Sequence, residues 1–205
     1  PAEEFFQTLS THFAKLPFLA EDLGTVTPEI HRLRLDWGLP GMRILQFAFD
    51  DPSGSDYLPH RFERNTVVYT GTHDNDTLMG WLGMRGTPKA PVNQQQRAVR
   101  ERALAYLGEH SKDVHWAFIR LALQSVANTA IFPMQDILGL GSSARMNRPA
   151  TTEGNWSWRM AKGALTAEQA ERLRSLCQRY ERIQTAHLPG KPRNRPSVSK
   201  QPRRH

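Results

Sequence analysis

Four short apolar runs, each ending in a polar cluster, alternate with segments of helical periodicity along the 205-residue chain. No other feature restricts the fold as much. The run "KLPFLA" (15–20) is too short for a helix and reads as a strand buried on both faces. "MRILQFAF" (42–49), "NTVVYTGT" (65–72) and the start of "ANTAIFPMQDILGLG" (127–141) read as three more strands, the last running into a Gly-rich turn. Between them Thr27, Pro28 and Glu29 open a helix, Ile30, Leu33 and Trp37 continue it, and Gly38 can stop it. A short helix is expected over "NDTLMGWLG", and longer ones over 93–108 and 112–125. The final helix opens with Thr166 and Gln169 spaced as a capping box. Its apolar stripe is Ala170, Leu173, Leu176, Cys177, Tyr180 and Ile183.

Strands that alternate with helices pair in parallel, and such folds place chemistry just beyond the carboxyl ends of the strands. The four ends here read Glu21-Asp22, Asp50-Asp51, His73-Asp74-Asn75-Asp76 and Gln135-Asp136. Any one of these is an ordinary cap or turn. Four in succession on one face predict a polar cleft rich in carboxylates.

The net charge of +7 invites a nucleic-acid reading, but the position of the charge argues against it. Residues 189–205 hold Lys191, Arg193, Arg195, Lys200, Arg203 and Arg204 and no acid. Setting these six aside leaves 21 basic against 20 acidic residues, so the body, 1–188, is nearly neutral. The Pro-rich tail has too little apolar surface to offset its ordering entropy and is expected to be disordered. It also lacks interleaved aromatic residues to stack on bases. No apolar stretch approaches the roughly 18 residues of a membrane span. A single cysteine, Cys177, excludes an intrachain disulfide, fits a reducing compartment such as the cytoplasm, and reads as a buried small hydrophobe.

A carboxylate-rich cleft can bind a metal or carry glycosidic acid and base chemistry. "HDND" lacks calcium-loop spacing, and neither an HExxH nor a CxxC motif is present, which counts against a metal. Sugar chemistry also asks for amide partners and aromatic faces. "TTEGNWSWR" (151–159) offers Asn155, Ser157, Trp156 and Trp158; the tryptophans suit either ring stacking or burial.

The blocks "AEDLG", "GLPGMRILQFAFD", "YLPH", "VVYTGTHDNDTLMGW", "MQDILGLGSSARMNRP" and "GNWSWR" resemble, in order, the 4-α-glucanotransferases known as amylomaltases or disproportionating enzymes. The resemblance covers 16–188. It implies a (β/α)8 barrel of the α-amylase type and transfer of an α-1,4-glucan segment through a covalent glycosyl-enzyme, with no cofactor. By position, Glu21 matches the family's general acid/base and Asp74 its transition-state-stabilising aspartate. His73 matches a sugar contact, while Asp50, Gln135, Asp136, Asn155 and Trp156 lie in motifs that look like subsite contacts. A retaining mechanism needs one carboxyl that first protonates the leaving oxygen and then activates the acceptor.

One element of the family pattern is missing. Its nucleophile is an aspartate in an Arg-x-Asp-His setting, and none of Asp22, Asp36, Asp50, Asp51, Asp56, Asp74, Asp76, Asp113 and Asp136 has that setting. A full barrel takes at least about 200 residues and commonly about 250. The expectation is therefore the C-terminal half of a barrel: about four strands, a catalytic body over 1–188, and a partner half elsewhere. The start at "PAEEFF" without Met is consistent with that. A glucan-binding remnant without turnover and a retaining α-glucan hydrolase stay open as alternatives.

Overall fold

The computed structural model describes residues 2–50, 55–84, 93–108 and 113–183. The basic tail at 189–205 and Asp51 lie outside the described residues. In chain order the elements are α1 (Ala2–Ser10), α2 (Pro28–Asp36), β1 (Gly41–Ile44), β2 (Thr66–Tyr69), α3 (Leu78–Trp81), α4 (Gln94–Leu107), α5 (Val114–Gln124), β3 (Thr129–Ile131), α6 (Met134–Ile137) and α7 (Ala167–Arg179). The strands form a parallel sheet in the order β1-β2-β3.

Register sorts the sheet into two faces. Arg43, Val68 and Ala130 are aligned on one, and Ile44, Tyr69 and Ile131 on the other. Val68 and Ala130 pack with Leu78, Val99, Ala103, Val114 and Phe118 from α3, α4 and α5. The opposite face is left to line a cleft. Helix α5 is buried nearly all round because it serves two clusters: Val114, Phe118 and Ala122 face the sheet side, while Trp116, Ile119 and Leu123 meet Leu173, Leu176, Cys177 and Tyr180. Of the expected stripe of α7, Leu173, Leu176, Cys177 and Tyr180 are therefore packed, while Ala170 and Ile183, the latter beyond the helix, are exposed. Cys177 packs as a half-buried hydrophobe, and that burial pushes its thiol up, away from the reactive thiolate, against the weaker opposing pull of Arg182.

Local signals hold where caps define them. Thr166 Oγ1 accepts from Gln169 N at 3.3 Å and Gln169 Oε1 from Thr166 N at 2.9 Å, which completes the capping box of α7. Gly38 takes φ +61° behind α2, the left-handed stop its position predicted. Helix α1 was not foreseen. It buries no residue, and its aromatic tie to the body is Phe6 against Trp37, with ring centroids 5.5 Å apart.

Three of the strand expectations need correction. The segment 15–20 is not a strand: its link toward β1 is Ala20 N donating to the carbonyl of Pro40, just before that strand, at 2.9 Å. Pro17 has no N–H to give, and Met42 N, which a neighbouring strand would engage through its carbonyl, donates to the Asp22 side chain at 2.6 Å. The sheet among the described residues therefore has three strands rather than four. The second run leaves the sheet after Ile44 and turns through a 3-10 helix at Leu45–Phe49. Leu45, Ala48 and Phe49 then enter the core at helical spacing, and Arg102 of α4 caps the Phe49 carbonyl at 2.9 and 2.7 Å. The fourth run stops at Ile131, where Pro133 starts α6.

Candidate functional site

A cleft of about 640 Å³ opens at the carboxyl ends of the three strands. Ile44, Tyr69, Ile131 and Phe132 give it apolar walls, and Glu21, His73, Asp74, Gln135 and Asp136 bring polar groups to it. Five of the expected site residues thus converge on one cavity. Asp50, Asn155 and Trp156 do not line it.

The turn after β2 is locked by its own side chains. Asn75 Oδ1 accepts from Thr72 N at 2.8 Å and from Thr72 Oγ1 at 2.9 Å, which leaves His73 and Asp74 at the crest. A second loop clamps that crest. Asn147 Nδ2 donates to Asp74 Oδ1 at 2.7 Å, Asn147 N to His73 O at 3.1 Å, and Arg145 Nη2 to Asp74 O at 2.5 Å. His73 Nε2 stands 3.3 Å from Asp74 Oδ1. One oxygen of Asp74 is thereby oriented, while the side chain keeps about half of its exposure.

The same loop presents Trp156. Its backbone N–H donates to Met146 O at 2.7 Å, and its ring lies 5.1 Å from that of His73. The residue adopts φ +59° while 55% exposed. A bulky side chain in the left-handed region costs on the order of 1–2 kcal/mol, so the surroundings must impose it. Asn155 spends its polar atoms on that loop: Oδ1 accepts from Arg148 N at 2.9 Å, and Nδ2 donates to Thr151 O at 2.9 Å.

On the opposite wall Glu21 is exposed to the cleft and near Tyr69. Burial pushes the Tyr69 phenol up, and the negative charge of Glu21 pushes it further. Beneath them Asp136 is 1% exposed, and both its oxygens are taken, by Thr70 Oγ1 at 2.6 Å and Leu78 N at 2.8 Å. Burial pushes its carboxyl up to about 6 against those two hydrogen bonds, with Asp76 adding to the rise. Gln135 is buried and donates to Ala144 O at 3.2 Å. Both residues frame the floor. Asp50, carried round by the 3-10 turn, instead sits where Arg102 Nη2 reaches its carbonyl at 3.2 Å.

Several supporting residues escaped the sequence reading. Gln46 is buried and donates to Asp76 O at 2.7 Å, and Asp76 in turn accepts from Ser142 Oγ at 2.7 Å. Asn147 and Arg145 lie in "MQDILGLGSSARMNRP", yet nothing in their spacing points at Asp74. Asp22 was seen only as the neighbour of Glu21. No group of three His, Cys, Asp or Glu placed to hold a metal ion occurs among the described residues. No helix among them is long and apolar enough to cross a membrane.

Comparison with known proteins bears on this arrangement directly. Residues 1–166 match the glycoside hydrolase 77 family, described as 4-alpha-glucanotransferase. The 4-alpha-glucanotransferase of Thermus thermophilus is 45% identical over 188 residues, which are 89% of this chain and 36% of that protein. The chloroplastic/amyloplastic 4-alpha-glucanotransferase of Arabidopsis thaliana is 43% identical over 186 residues, 89% of this chain and 31% of that protein. The amylomaltase of Streptococcus agalactiae, solved in complex with acarbose, superposes with a TM-score of 0.78 at 34% identity, over 88% of this chain and 35% of that one. The chain thus spans about a third of the length of these relatives. With the matched blocks running through the strands, the cleft and the loop that clamps Asp74, the chain belongs to the glycoside hydrolase 77 family of 4-alpha-glucanotransferases.

Proposed function

We propose that this chain carries the acid/base side of a 4-alpha-glucanotransferase site, which moves a segment of an α-1,4-glucan to a sugar acceptor by retaining double displacement. The observation that carries the reading is the convergence of Glu21, His73 and Asp74 on one apolar-walled cleft at the carboxyl ends of parallel strands. Glu21 protonates the departing glycosidic oxygen and then takes the proton from the incoming acceptor hydroxyl. Asp74, oriented by Asn147 and beside His73, stabilises positive charge at the reacting carbon. His73 contacts the sugar. Trp156, exposed against the His73 ring, offers the stacking face. Gln135 and Asp136 shape the cleft floor, Asn155 shapes the loop that holds Trp156, and Asp50 acts at most at an outer subsite.

The nucleophile and the remaining barrel strands come, in this reading, from chain outside these 205 residues. Two facts support a half barrel over 1–188: the chain spans about a third of its relatives, and β1 and β3 each pair on one side only among the described residues. A site of this kind works in a reducing compartment, cytoplasmic or, in a plant, plastidial, as the lone cysteine allows. Neither metal nor cofactor is called for by the roles assigned.

The test uses protein in which this chain is joined to the rest of the barrel. Maltotriose should be converted to glucose and longer maltooligosaccharides. Glu21→Gln and Asp74→Asn should each lower the rate by at least about 100-fold. Near-normal rates in either variant sink the assignment, and glucose without longer products marks a hydrolase instead.

A further inference from the structure

We infer that Asp22 is the positioning residue for Glu21, acting through a buried cluster of two arginines and the backbone of β1; this rests on Glu21 being the acid/base. The tight turn centred on Glu21, closed by Asp22 N donating to Ala20 O at 3.1 Å, sends these two side chains apart. Glu21 goes to the cleft, and Asp22 goes into the frame, its side chain only 7% exposed.

The frame holds Asp22 from three directions. Oδ1 accepts from Met42 N at 2.6 Å. Oδ2 accepts from Arg43 Nη1 at 3.3 Å and stands 3.3 Å from Arg34 Nε. Arg34, buried, is itself fixed by donating to Leu39 O at 3.1 Å and to Glu63 at 3.2 Å. Nearby backbone closes the device. Ala20 N donates to Pro40 O at 2.9 Å, and Asp22 N donates to Ala20 O at 3.1 Å, which bends the chain sharply at Glu21.

Glu21 is thereby pinned on both sides, although its segment lacks a strand's ladder of hydrogen bonds. The fit at Asp22 is close. A Cβ on Gly41 would lie 2.4 Å from Asp22 Oδ2, so only glycine at 41 leaves the carboxylate its place. Arg43 ties the same point to Tyr57, its guanidinium standing 6.0 Å from the ring centre. Without the Asp22 carboxylate, Met42 N loses its charged acceptor, Arg34 and Arg43 lose a shared counter-charge, and the bend at Glu21 relaxes. A displacement of about 1 Å at a catalytic group can cost about 100-fold in rate.

The experiment separates positioning from packing with two donors in the joined protein. Maltotriose needs a proton on its leaving oxygen, whereas α-maltotriosyl fluoride loses fluoride without one. Asp22→Asn should lower kcat on maltotriose about 10- to 100-fold with KM within about threefold. First-turnover fluoride release should fall less than about threefold. Gly41→Ala, which keeps every charge and crowds the carboxylate, should give the same split and decides the matter if Asp22→Asn does not fold. An equal loss on both donors, or unchanged kcat in a folded variant, overturns the positioning role. Glu21→Gln runs alongside: if it keeps full activity on maltotriose, the acid/base reading itself has failed, whatever Asp22 does.

Discussion

Asp136 makes the stability of this chain depend on pH in a direction opposite to that of most carboxylates. It is 1% exposed, and burial outweighs the two hydrogen bonds it accepts, so its carboxyl is pushed from 3.8 up to about 6. At about 1.36 kcal/mol per pH unit the gap corresponds to about 3 kcal/mol. Below pH about 4 both folded and unfolded chains hold the proton, and the stabilising contribution is complete. Between about 4 and 6 the unfolded chain releases its proton while the folded chain keeps it, so stability falls as pH rises. Above about 6 the folded chain ionises too, and the loss levels off.

Replacing Asp136 by Asn removes the titration without emptying the site. The amide oxygen still accepts from Leu78 N, and the amide nitrogen faces Thr70 Oγ1, whose hydroxyl can turn to accept. The wild-type advantage over the variant should therefore shrink by about 2 kcal/mol between pH 4.5 and pH 7, reversing sign if the neutral bonds are sound. Urea unfolding followed by tryptophan fluorescence measures it, at a protein concentration low enough that the midpoint no longer depends on it. Other carboxylates cancel in the difference. A difference that stays flat across this range, or grows in favour of the wild type, would refute the account of Asp136 as a carboxyl forced to carry charge in the core.

Four further outcomes are expected. Glu21→Gln and Asp74→Asn should each abolish most disproportionation of maltotriose in the joined protein, as above, while leaving melting temperatures within a few degrees. Asp22→Asn should split the two donors in the way described. The 205-residue chain by itself should transfer no glucan and should associate on gel filtration, because Phe18, Leu19 and Ile131 are over 40% exposed and β1 and β3 each pair on one side only among the described residues; a stable monomer that disproportionates maltotriose unaided would overturn this. Removing 189–205 should leave the circular-dichroism melt unchanged and remove any salt-sensitive binding to nucleic acid, and a clear fall in melting temperature would show that the tail packs.

What the sequence made legible was whatever short-range chemistry decides. Capping residues such as Thr166 and Gln169 act within one turn, so α7 could be read from spacing, and the β-branched run at 66–69 could be read as a strand because its two neighbours pair with it. The ends of β2 and β3 carried their polar clusters to the cleft as the parallel-sheet rule requires. The failures share a cause. "MRILQFAF" has strand composition throughout, but Arg102, more than fifty residues away, caps Phe49 and lets Leu45, Ala48 and Phe49 sink into the helical side of the core. Asp50 followed that turn away from the cleft. At 15–20 the apolar signal was present, yet a strand forms only where backbone partners exist, and here Asp22 supplies an acceptor from its side chain in their place. The clamp on Asp74 by Asn147, 73 positions later, has no local signature at all. The candidate side chains at strand ends could be named from one segment each; the residues that hold them belong to segments far apart in the chain, and only the fold brings them together.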